Sequence, residues 1–288
     1  MKKILAKIIL GLIIVFFGFV AFVQIKFELD SKKVYASAPF KIKDLVAAAD
    51  VALGKRLFTV RNGCIDCHGA DLSGTSVMEN GPMGSIYGTN LTPFRLAQWS
   101  DEEIANAIRY GIHKSGRSLR FMPSFDYEGL SLGDVAAMVA YIRSVPAVEK
   151  PLHENSFGFL AKFLSTAGQM PVMFPAKVLD LQKTFAVKPP EEESLEFGKY
   201  LANSCVGCHG TDLRGGKIPG GDPSWPLATN IRLGANSFWT ESTFKETILS
   251  GVSLTTKEKL RPPMPVGLLA QMNELEIKVL WKYLSSLN

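Results

Sequence analysis

The run Cys64-Ile65-Asp66-Cys67-His68-Gly69-Ala70-Asp71-Leu72-Ser73-Gly74 returns in the second half of the chain as Cys205-Val206-Gly207-Cys208-His209-Gly210-Thr211-Asp212-Leu213-Arg214-Gly215, at an offset of 141. Other landmarks return with it. Asn90-Leu91 matches Asn230-Ile231, Trp99 matches Trp239 and Gly111 matches Gly251, each at an offset of 140. Met122-Pro123 recurs as Met264-Pro265 at an offset of 142, and so does the set Val135, Met138, Val139 and Ile142 as Ile277, Leu280, Trp281 and Leu284. So small a drift in offset across these landmarks marks a duplicated domain.

All four cysteines of the chain lie in the two Cys-x-x-Cys-His motifs. Two thiols at this spacing suit thioether links to the two vinyl groups of one porphyrin, and the adjacent histidine then sits beneath the iron. A Cys₄ zinc site would leave both histidines unexplained. A thioredoxin-like pair calls for a βαβ setting, which the pattern lacks. Two disulfides would also ignore the histidines. The motifs therefore point to two covalently bound haem c groups, with His68 and His209 as iron ligands. Met122 follows His68 at an offset of 54, and Met264 follows His209 at an offset of 55. Each precedes a proline, which stiffens the backbone beside the sulfur. Their matched spacing makes them the expected second axial ligands. Met138, Met170, Met173 and Met272 read as core filler. Asn90, Trp99, Asn230 and Trp239 are candidates to donate side-chain N–H groups to haem propionates, although core packing accounts for the tryptophans almost as well. His113 and His153 have no counterpart in the second copy and read as a helix-end residue and a solvated connector residue. Asp71 and Asp212 fit a turn after each haem helix.

Each copy reads as mainly helical. Ser100-Asp101-Glu102-Glu103 has capping-box form, with Ile104 and Ile108 behind it and Gly111 as a stop; Thr240 holds the equivalent cap. The sets ending in Ile142 and Leu284 each mark one apolar helix face. No stretch predicts a strand pair. Between the copies, residues 148–190 form a connector rich in proline and phenylalanine. Its prolines argue against one long helix. Phe159 and Phe163, spaced i, i+4, suit a short helix pressed on a domain or a bilayer surface, with Lys162 and Lys177 turned to water or headgroups.

The 288 residues are 47% hydrophobic and 20% charged, enough to bury a core and sized for about two domains. The net charge of +5 is not concentrated on either copy, which sets nucleic-acid binding aside. Lys2, Lys3 and Lys7 precede the stretch from Ile8 to Val23, which carries no polar side chain. This segment is just long enough to cross a bilayer, with the N-terminus in the cytoplasm and the body outside. Ala36-Ser37-Ala38 has the form of a signal-peptide cleavage site, so a removed leader is the competing reading. Both export the body.

Residues 50–148 and 191–288 resemble bacterial membrane-anchored di-haem cytochromes c built from two class I-type domains. Asn90-Leu91-Thr92-Pro93 and Trp99-Ser100-Asp101-Glu102-Glu103 look close to that family's pattern; Asn230-Ile231-Arg232-Leu233 and Trp239-Thr240-Glu241-Ser242 depart from it. The resemblance implies an all-α fold of two cytochrome c domains; it covers neither the anchor nor, in any detail, the connector, and with those two read from the sequence the order is a transmembrane anchor (1–29), a first cytochrome c domain (30–147), the connector (148–190) and a second cytochrome c domain (191–288). It implies electron transfer at the periplasmic face of the inner membrane, from a dehydrogenase to a cytochrome or terminal oxidase, without substrate chemistry. The alternative is a di-haem enzyme, peroxidase-like or thiosulfate-oxidising, with one exchangeable haem ligand. Methionine at the same place in both copies argues against it.

Overall fold

The computed structural model describes every residue except 1, 152, 220, 222, 223, 235–238 and 255. It is mainly helical with little sheet. An N-terminal helix, Lys2–Lys32, leads into the first copy.

Both copies use the same scaffold. In the first, helix Val51–Arg56 is capped by Asp50, whose carboxylate accepts the Ala52 N–H at 2.8 Å. It crosses the closing helix Leu132–Ser144. In the second, helix Leu195–Ala202 is capped by Ser194 and crosses Glu274–Ser285. Both crossings depend on glycine. A Cβ on Gly54 would fall on the Ala137 carbonyl, and one on Gly198 on the Val279 carbonyl. The apolar faces expected of the closing helices are the cores: Val135, Met138, Val139 and Ile142 are buried in one, Ile277, Leu280 and Leu284 in the other, and Trp281 is half-buried.

The middle helices Asp101–Tyr110 and Glu241–Ser250 carry the caps expected of them. Ser100 and Glu103 form a capping box, as do Thr240 and Thr243. Gly111 and Gly251 end the helices at φ 63° and 66°, a left-handed conformation costly for other residues.

Two expectations are corrected. A small antiparallel sheet exists, in the order β1 (Ser76–Gly81), β2 (Gly84–Tyr87), β3 (Ser156–Phe157). Its strands lie in a Gly/Pro-rich run with irregular register, and β3 comes from the connector, so no local alternation announces it. The connector helix Phe159–Thr166 is short, as expected, and Phe159 stacks on Phe163. Lys162 is half-buried and not turned to water, whereas Lys177, further along the connector, is exposed as expected. Lys162 donates to Gln24 Oε1 at 2.9 Å and Lys177 pairs with Asp30 at 2.7 Å, both on the N-terminal helix. The partners lie more than a hundred positions away in the chain, beyond the reach of local pattern.

Gly198→Val should lower the stability of the second copy by about 3 kcal/mol through overpacking at the crossing. Differential scanning calorimetry of the haem-loaded protein should show the second copy's transition falling while the first copy's holds.

Candidate haem sites

Each Cys-x-x-Cys-His motif forms one turn of helix, Ile65–His68 and Val206–His209. The chain leaves through Gly69 and Gly210, both at positive φ. It then folds back, Gly74 N–H donating to the His68 carbonyl and Gly215 N–H to the His209 carbonyl, each at 2.8 Å. Asp71 and Asp212 close these turns by accepting the Ser73 and Arg214 N–H groups, as expected.

The two histidines are buried. Nδ1 of His68 donates to the Thr89 carbonyl at 2.7 Å, and Nδ1 of His209 to the Thr229 carbonyl at 2.8 Å. A carbonyl only accepts, so the proton is on Nδ1 and Nε2 keeps its lone pair for a metal. Burial pushes the pKa of both imidazoles down, which keeps them neutral. Sequence reasoning misses the threonines, because their carbonyls and not their side chains act on the histidines. The repeated Thr-Asn pair before Leu91 and Ile231 is the signal that could have found them.

None of the four cysteines forms a disulfide. Burial pushes Cys64 up to about 12 and Cys205 up to about 11, the opposite of a thiolate site. Among the described residues no group of three or more His, Cys, Asp or Glu side chains could hold a metal ion directly. Paired protonated thiols beside one neutral, oriented imidazole fit a covalently attached haem, with thioether links to the sulfurs and Nε2 on the iron.

Met122 and Met264 are half-buried. The backbone around them is the same. Ser124 N–H donates to the Met122 carbonyl and Val266 N–H to the Met264 carbonyl, both at 2.9 Å. The prolines between have φ and ψ of −81° and 54°, and −83° and 62°, which are inverse γ-turns. The bland methionines behave as expected: Met138, Met170, Met173 and Met272 are buried in the cores.

The four propionate candidates differ. Asn90 is buried; its Oδ1 accepts from Thr92 N–H and Oγ1, and its Nδ2 donates to the Val148 carbonyl at 2.9 Å. Asn230 is exposed, and its Oδ1 accepts the Arg232 N–H. Trp99 packs against the first core and edge-on to His113 at 4.8 Å; Trp239 packs against the second core and Phe244. His153 stacks on Tyr87.

The two sites face one another. Asp126, just past Met122-Pro123, abuts Gly207 of the second motif, where a Cβ would strike its carboxylate. Leu268, just past Met264-Pro265, approaches Gly63, which immediately precedes the first. Asp126 and Leu268 are equivalent positions, so the packing is a pseudo-two-fold exchange. Burial raises Asp126 to about 6. A buried ion cluster locks the arrangement. Glu276 accepts from Arg56 and from Arg61 Nε at 2.8 Å, while Arg56 Nη1 also donates to the Gln271 carbonyl at 3.1 Å. Across the same interface Tyr200 donates to Asp134 at 2.6 Å, and Lys188 pairs with Asp134.

Residues 51–146 and 196–288 match the family model for cytochrome c. The chain belongs to the cytochrome c family. Cytochromes c hold haem c covalently, which accounts for the thiols and the imidazoles. This cytochrome is similar to a subunit of the nicotinate dehydrogenase of Pseudomonas putida, 26% identical over 78% of the chain and 20% of that protein. It is 29% identical to the cytochrome c subunit of a quinone alcohol dehydrogenase of Gluconacetobacter polyoxogenes, over 56% of the chain and 36% of the relative. It is 28% identical to the cytochrome subunit of fructose dehydrogenase of Gluconobacter japonicus, over 51% and 32%. The chain thus spans a fifth to about a third of the length of these relatives.

Burial works to raise the Glu276 carboxyl, but the hydrogen bond from Arg56, the Asn273 N–H and the charge of Arg61 outweigh it and hold the group below the usual glutamate range. Its contribution to stability is complete above the unfolded-state pKa and is lost as pH falls through the depressed folded value. Glu276→Gln should cost about 3 kcal/mol at neutral pH by leaving two arginines unpaired. In thermal melts from neutral to acid pH, the variant should lose less stability than the parent as the glutamate range is crossed.

Proposed function

We propose that this cytochrome c is a membrane-anchored electron carrier with two haems, taking electrons from a dehydrogenase on the periplasmic side and passing them to a cytochrome or terminal oxidase of the respiratory chain. The observation that carries it is the matched pair of sites: the same His–carbonyl bond, the same thiol turn and the same Met-Pro γ-turn, twice. Residues 30–147, after the anchor at 1–29, hold one haem, and residues 191–288, after the connector at 148–190, hold the other. Haem, once bound, supplies a one-electron ferrous–ferric couple. Cys64 with Cys67, and Cys205 with Cys208, hold it through thioethers. His68 and His209 present Nε2 to the iron. Met122 and Met264 present sulfur as the second ligand, which favours the reduced state and a comparatively positive potential. The pseudo-two-fold interface places the attachment turn of one copy against the Met-Pro segment of the other, a short route between the two sites.

Anchoring is supported by the helix Lys2–Lys32, which contains an 18-residue window of mean hydropathy 2.9 and is almost wholly exposed over its apolar run. Retention of the segment is supported by its ties to the body. At Ala36-Ser37-Ala38, Ser37 donates to Asn106 at 2.7 Å and Ala38 N–H to the Leu181 carbonyl at 2.8 Å. A dehydrogenase as donor is supported by the relatives, which are subunits of dehydrogenases.

The intact chain should sediment with membranes and be released by detergent but not by salt. Acidified organic solvent should extract neither haem, and a Cys64→Ser, Cys67→Ser variant should retain one haem equivalent. Met122→Ala and Met264→Ala should each open one iron to cyanide and lower one midpoint potential; a double variant with the parent spectrum and both parent midpoints would overturn the ligand assignment.

A further inference from the structure

The two Met-Pro loops share a turn but not a surrounding. Phe121, immediately before Met122, has φ 59°, strained for an aromatic residue. Its counterpart at an offset of 142 is Pro263, whose ring forbids positive φ. A strained residue persists only where its surroundings hold it. Here the surroundings are a cluster built by the end of the N-terminal helix and the connector. Phe27 is 2% exposed and lies in a cluster with Ala161, Met170, Met173 and Phe174, against which the Phe121 ring packs. Phe27 meets Phe174 at 5.2 Å and Phe157 at 5.8 Å. Lys162 lies over the same ring, and Arg120 lies over Phe157. Just past the helix, Tyr35 N–H donates to the Gly116 carbonyl at 2.8 Å, within the loop that ends at Met122. The connector adds Ala176 N–H to Ser118 Oγ at 3.2 Å. Among the described residues, the backbone bonds of the second loop run within it: Ser253 N–H to the Glu258 carbonyl, Lys257 N–H to the Ser253 carbonyl, Leu260 N–H to the Gly251 carbonyl. Lys257, Glu258 and Lys259 are exposed.

We propose that the end of the anchor helix is a positioning element for the first haem: Phe27, through the connector phenylalanines, holds Phe121 in its strained conformation and thereby keeps Met122 on the first iron, while Met264 needs no such support. This rests on Met122 and Met264 being the axial ligands. Membrane attachment and the ligation of the first haem are therefore one structural unit. Loosening the helix end releases the thioether of one haem only.

The test uses the full chain with both haems attached, in detergent, with cyanide as the probe of the oxidised protein. In the series Phe27→Leu, Phe27→Val, Phe27→Ala, one haem should bind cyanide progressively faster, by about tenfold at alanine as the open loop becomes populated. The same haem's midpoint should fall, and up to half of the thioether-to-iron charge-transfer absorption should be lost. Phe27→Leu should stay near the parent. Phe19→Ala, which alters only the contact with Phe159 and Phe163, should leave both haems unchanged. Phe27→Ala should add nothing to the cyanide binding of Met122→Ala, and should add a second reactive haem to Met264→Ala. Parent-like cyanide kinetics in Phe27→Ala, alongside an opened haem in Met122→Ala, would overturn the proposal and leave the ligand assignment standing. Equal effects on both haems would overturn it as well. A Met122→Ala variant that opens no haem would remove the ligand assignment itself, and the proposal with it.

Discussion

A buried imidazole presents one nitrogen outward only if the other is held. In this protein a threonine carbonyl holds it twice, Thr89 for His68 and Thr229 for His209. Much of the local fold serves that bond. The segment bearing the threonine is fixed by a backbone bond just beyond it, Leu91 N–H to the Leu72 carbonyl in one copy and Ile231 N–H to the Leu213 carbonyl in the other. Leu72 and Leu213 accept those bonds from the left-handed region, at φ 60° in both. The first and closing helices of each copy close to van der Waals contact at Gly54 or Gly198. Chemistry that needs a neutral, oriented histidine is thus bound to the backbone and tolerates variation in the side chains around it.

Duplication gives two equal sites, and the remainder of the chain makes them unequal. The connector contributes a strand to the first copy's sheet, a short helix against the N-terminal helix, and hydrogen bonds to the first Met-Pro loop. Only the first copy is wrapped in this way among the described residues. The second keeps an exposed loop before Met264. On the proposed reading of two haems with one ligand set, the two would sit in different dielectric surroundings, which is one of the levers that separates potentials.

The interface between copies carries charge at buried positions, Glu276 with Arg61 and Asp134 with Lys188. A buried carboxylate shared by two arginines is costly to desolvate and contributes little net stability, but its geometry is directional. Glu276 is also the capping residue of the closing helix, accepting the Asn273 N–H at 2.8 Å. The ion cluster therefore fixes the helix start of one copy to the haem-side helix of the other. Distance between redox sites is what such a lock controls.

The sequence by itself determined the repeat, the Cys and His positions, the Met-Pro pairing, the caps at Ser100 and Thr240 and the core faces of the closing helices. Each is a local signal: a motif, a period or a cap spans a few residues, and duplication prints it twice. The carbonyl partners Thr89 and Thr229 escaped because a backbone oxygen has no residue type. The bond from the Asn90 side chain to Val148, the three-stranded sheet, the partners of Lys162 and Lys177, and the Arg56–Glu276–Arg61 cluster were decided only by tertiary structure. Their members lie far apart in the chain, and only packing of the cores brings them together. Which of two equivalent loops leans on the N-terminal helix is a matter of the same kind. Its cause is the burial of Phe27, a residue that in the sequence is one apolar side chain at the end of an apolar helix.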